Sequence, residues 1–139
     1  MGLSNSVTAA PSAIQGLPPS GTYRIQNLAT GLYIDNKDRK QGAGTPVIVQ
    51  TLNYPLSSNQ EVLSHFPPTP GIVLNSNFLL ELNPTTQTEF QIVPAPGGFT
   101  ICGFPGGFGC LTSPSTPITQ IPVQSFTGAD NQIWMFHPI

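Results

Sequence analysis

Charge is what this chain most lacks: four basic and six acidic residues among 139, 7% of the total, for a net charge of −2. Four cations cannot build the basic surface that a phosphate backbone demands, which excludes nucleic acid as a partner. No apolar run approaches the roughly 18 residues of a membrane span, so insertion by a helix is excluded as well. Only two histidines, His65 and His137, and two cysteines, Cys102 and Cys110, are present, and none of them stands at zinc spacing. Neither a structural metal nor a cofactor is expected. Residues 1–20, "MGLSNSVTAAPSAIQGLPPS", have no basic start and no continuous apolar core, so they do not read as a secretory signal. They are expected to form a flexible lead-in, and the protein to be cytoplasmic. The Met-Gly start with Ser6 matches a myristoylation pattern short enough to recur by chance.

What is abundant is glycine and proline, 14 and 16 residues, with proline spread from Pro11 to Pro138. Proline removes backbone donors and glycine loses the most entropy on ordering, so long helices are excluded. A 38% hydrophobic content arranged in alternating runs is not that of a disordered chain. From Gly21 onward the chain reads as short strands such as "TYRIQN", "LYID", "PVIVQTL", "EFQIVP", "FTICGF", "ITQIPVQ" and "IWMFHP", divided by Gly, Pro, Asn and Ser turns. Such close spacing predicts an all-β barrel or sandwich, one domain over residues 21–139. Cys102 and Cys110 flank "GFPGGFG", which a disulfide could close. Two free thiols in a reducing compartment fit the sequence equally well.

Internal similarity narrows the architecture. Three segments end alike, "NQEVLSHF", "QTEFQIVP" and "NQIWMFHP", placing Val62, Phe90 and Trp134 in corresponding positions. The cues "TGLYIDN" and "PGIVLNS" also correspond, with Gly31 matching Gly71 and Asp35 matching Asn75. Three unequal copies of about four strands describe a β-trefoil, in which the apolar residue ending each copy enters a shared core.

The "NQIW" of Asn131 to Trp134 resembles the Gln-x-Trp element of the ricin-B-like, or R-type, lectins, and "GTYRIQNLATGLYID…GTPVIVQ" is similar to the first repeat of small fungal members. The resemblance spans residues 21–139 and is closest in the first and last repeats. It implies a carbohydrate-binding protein for terminal galactose or N-acetylgalactosamine glycans, with a defensive role known from such kin. It also implies the site residues: Asp35 accepting from adjacent sugar hydroxyls, and Asn59 and Gln60 as further polar contacts. Where the family usually carries a stacking aromatic, this chain has Gln50, and Asn53 and Tyr54 follow in the next loop, Tyr54 as a substitute ring. The chemistry suits a sugar, whose hydroxyls both donate and accept while its C–H face needs an apolar platform. The middle repeat offers Asn75 and the last has no acid near Leu111-Thr112, so one site is expected. Agglutination would then need a homodimer, for which Phe104 and Phe108 are candidate contacts.

Lys37, Arg39 and Lys40 crowd into the loop 36–43 directly after Asp35, leaving Arg24 as the only other cation. The plain reading is a solvated loop that keeps an uncharged protein soluble. The alternative is a trypsin-like serine protease inhibitor, since fungal proteins of this shape include inhibitors and such a protease accepts an exposed Lys or Arg on a rigid loop. A scaffold subunit that has lost sugar binding is a third reading, favoured by Gln50. No Ser/His/Asp or Cys/His grouping emerges, so no enzyme is expected.

Overall fold

The computed structural model describes residues 5–7, 21–40, 42–57, 60–64, 71–74, 79–83, 90–103 and 109–139. Asn75, His65, Phe104 and Phe108 lie outside them, and with them the expectations that rest on those residues.

The first strand, β1, is Asn5–Val7, and those after it follow the alternation of the sequence. In β2, Gly21–Asn27, the residues Tyr23, Ile25 and Asn27 turn inward while their neighbours are half-buried. Next come β3, Tyr33–Asn36, and β4, Val47–Gln50, an antiparallel pair that sets Ile34 against Val49 and Asp35 against Ile48. A five-pair ladder joins β2 to the last strand, Trp134–Pro138, with Trp134 opposite Asn27 and Pro138 opposite Tyr23. The two ends of the domain therefore close on each other. Trp134 also pairs with Phe99 in the strand Gly98–Gly103. A Cβ at Gly98 would collide with the Trp134 carbonyl, so only glycine permits this approach.

Inside the ring of strands sit Ile25, Ile34, Val47, Val49, Ile101, Leu111 and Ile121. The three repeat-ending residues Val62, Phe90 and Trp134 are all fully buried in the same cluster, as the internal similarity predicts. Trp134 satisfies its one polar atom there, donating from Nε1 to the Leu111 carbonyl at 3.1 Å.

Two details differ from the reading of the sequence. Within the expected lead-in, Asn5–Val7 forms a strand that pairs in parallel with Val62–Ser64. The run "ITQIPVQ" divides into Thr119–Gln120, laid on β4, and Val123–Gln124, paired with Cys110–Leu111. Pro122 stands at the division, where it has no N–H to continue a ladder. The cysteines, left open by the sequence, face each other on adjacent antiparallel strands and form a disulfide.

Trp134→Ala is expected to lower the unfolding free energy by about 3–5 kcal/mol, because it removes the largest core side chain and strands the Leu111 carbonyl. Urea denaturation measures it. A loss under about 1 kcal/mol would show that the core does not depend on this ring.

Candidate functional site

Strand alternation sends Ile34 into the core and Asp35 to the opposite face of the β3–β4 pair. Asp35 is nevertheless only 3% exposed, because the chain beyond β4 folds back over it. The fold-back is held by Gln60, whose side chain is wholly buried. Its Nε2 donates to Asp35 Oδ2 at 3.0 Å and to the Thr51 carbonyl at 2.8 Å, while its Oε1 accepts from the Asn53 N–H at 2.9 Å. One amide thus pins the carboxylate and the returning loop together. Asn53 in turn donates from Nδ2 to Ser57 Oγ at 2.7 Å.

On the other side of Asp35 the chain turns through Lys37–Arg39, a short 3-10 turn in which Asp38 and Arg39 adopt left-handed backbone, φ 55° and 59°. The Lys37 N–H returns to the Pro46 carbonyl at 3.1 Å, which closes the loop at the base of β4. Between this turn and the Asn53 loop lies a hollow of about 170 Å³, lined by Asp35, Asn36, Lys37, Asp38, Arg39, Ile48, Gln50, Asn53 and Ile118. That is below the roughly 300–1,000 Å³ of pockets for drug-sized ligands, so the hollow suits a single small ring. Polar and charged groups supply most of its wall, with Ile48 and Ile118 as the apolar part.

The residues predicted from sequence divide accordingly. Asp35, Gln50 and Asn53 line the hollow, as do Lys37 and Arg39 of the basic loop. Gln60 does not line it: its amide is buried and its hydrogen bonds go to Asp35, Thr51 and Asn53. Its amide holds Asp35 in place. Tyr54 is 82% exposed and outside the lining. Lys40 is exposed beyond the rim, and Asn59 lies outside the described residues.

Sequence reasoning missed Ile118. It precedes Thr119–Gln120, and its N–H donates to the Val49 carbonyl at 2.7 Å, which sets it beside Gln50 from the third repeat. Nothing near it in the chain marks it.

The third repeat repeats the amide clamp without the acid. Gln132, 1% exposed, donates from Nε2 to Thr112 Oγ1 at 3.0 Å and to the Ser125 carbonyl at 2.9 Å, and accepts at Oε1 from the Thr127 N–H at 2.8 Å. Thr112 thus stands where the first repeat has Asp35. The shared "NQ" before Val62 and Trp134 was the signal for this structural role.

No protein-family model and no curated protein matches the sequence. Among solved structures, an agglutinin from Rhizoctonia solani superposes with a TM-score of 0.72 at 22% identity, over 94% of this chain and 100% of its own. The designed threefold-symmetric protein ThreeFoil follows at 0.60 and 15%, over 86% and 99%. The chain is a β-trefoil. A proteinase inhibitor from Coprinopsis cinerea shares the fold at a TM-score of 0.63 and 13% identity, over 88% of this chain and 100% of its own. At these identities the likeness carries the β-trefoil alone.

Gln60→Ala and Gln132→Ala are each expected to cost about 1–3 kcal/mol in unfolding free energy, since both leave buried donors and acceptors unpaired. Thermal and urea unfolding of the pair measure it. Equal stability to wild type in either variant would show that the clamp is replaceable there.

Proposed function

We propose that this β-trefoil is a ricin-B-like lectin that binds terminal galactose or N-acetylgalactosamine glycans through one site, the first-repeat hollow. The observation that carries the reading is the Asp35 carboxylate, held by the Gln60 amide at the wall of a ring-sized recess beside Gln50 and Asn53. A carboxylate fixed in this way accepts from two adjacent sugar hydroxyls, and side-chain amides on the same wall both donate and accept. Hydrogen bonds to a charged acceptor survive the exchange with water better than neutral ones, about 1.5–3 kcal/mol each. The protein acts by binding, with no catalytic step.

The third repeat supports a single site, because Thr112 replaces the carboxylate there. One site of this size binds weakly, so multivalent action requires a second copy of the chain. The Cys102–Cys110 disulfide weighs against the cytoplasmic expectation, since disulfides persist in oxidising compartments.

The basic loop does not favour the inhibitor reading. A protease cleft takes an extended segment, and Lys37–Arg39 is a tight turn with two consecutive left-handed residues. Hydrolysis of a chromogenic peptide by trypsin is expected to run equally fast with and without the protein; strong inhibition lost in a Lys37→Ala, Arg39→Ala variant would move the function to that loop.

A glycan array probed with wild type and Asp35→Ala tests the lectin proposal. Galactose-type glycans should bind wild type, and Asp35→Ala should weaken them at least about tenfold through the lost charged acceptor. A wild type that binds no glycan, or a variant that binds as well, would overturn it.

A further inference from the structure

The hollow has a polar wall that reads hydroxyls, and a sugar also presents a C–H face. Gln50 on the same wall is polar as well, and Tyr54 is outside the lining. We infer that Ile118, delivered by the third repeat, is the apolar platform on which the sugar ring rests, an inference that builds on the lectin reading.

Three observations converge on this residue. Ile118 is 59% exposed yet lines the same hollow as Asp35, Gln50 and Asn53. The other large exposed apolar side chains among the described residues, Tyr54, Leu56, Phe126 and Ile139, do not line it. Its backbone is left-handed, φ 61°, a conformation that β-branched residues almost never adopt. Such strain persists where the surroundings over-determine it and clusters at ligand sites. The surroundings here are the Ile118 N–H bonded to the Val49 carbonyl, the pairing of Thr119 and Gln120 with β4, and the Ile121 N–H bonded to the Val47 carbonyl at 2.9 Å. Glycine or asparagine would hold this turn with less strain. An exposed isoleucine is the choice least suited to the turn and best suited to an apolar contact.

The site is therefore built from two repeats, with the hydroxyl-reading wall from the first and the platform from the third. Because an aliphatic side chain lacks the ring quadrupole that aligns with C–H bonds, the contact buries area without imposing a stacking geometry.

Ile118→Gly and Ile118→Asn, both compatible with left-handed backbone, separate the two roles of this residue. Calorimetric titration with lactose and N-acetylgalactosamine is expected to show an affinity loss of about tenfold, the worth of one buried aliphatic side chain. The melting temperature should stay level or rise in at least one of the two. Affinity within twofold of wild type in a variant that melts like wild type would overturn the platform and leave the lectin reading standing. A wild type that binds neither sugar, nor any galactose-type glycan on the array, would overturn that reading and the platform with it.

Discussion

A buried side-chain amide must find all its partners inside the protein, because no water can replace a missing one. Gln60 and Gln132 meet that condition in the same way, each tying a strand-end side chain, a carbonyl and a backbone N–H from a loop that would otherwise be unanchored. In the first repeat this clamp joins the Asp35 carboxylate to the Asn53 loop at the wall of the hollow. An amide suits the task because its two ends donate and accept at once. A charged residue there would add a desolvation cost that Gln avoids.

The clamp is common to two repeats, and the difference between them is one residue. Opposite Gln60 stands Asp35, and opposite Gln132 stands Thr112. Both satisfy the amide, so folding does not choose between them. Keeping a carboxylate nearly out of water is the more costly solution. Ile118 repeats this pattern on the opposite wall, where left-handed backbone at a β-branched residue costs of order 1–3 kcal/mol. Local disfavour on both walls of one recess marks it out from the rest of the surface.

The charge distribution follows the same division. Arg24 lies 3.4 Å from Glu61 and both side chains are mostly shielded, a structural pair between β2 and the residue just before the strand Val62–Ser64. Lys37 and Arg39 form no ion pair among the described residues and stand on the rim of the hollow. Together with Asp35 and Asp38, which line the same hollow, they set its local field.

The sequence by itself determined the fold. Alternating apolar residues and frequent turn formers specify short strands, and the three matching endings put Val62, Phe90 and Trp134 in one core. Burying an apolar side chain requires only that it face inward, and a period of two shows this along the chain. Asp35 was legible too, through its place beside a turn in a recognisable repeat. Tertiary structure alone decided the placement of Gln60, Tyr54 and Ile118 relative to the hollow. Whether an amide meets ligand or buried backbone, and whether an isoleucine from the third repeat reaches a hollow in the first, depend on contacts between segments far apart in the chain. Periodicity carries no record of such contacts. They exist only once β4 pairs with Thr119–Gln120 and the last strand closes on β2.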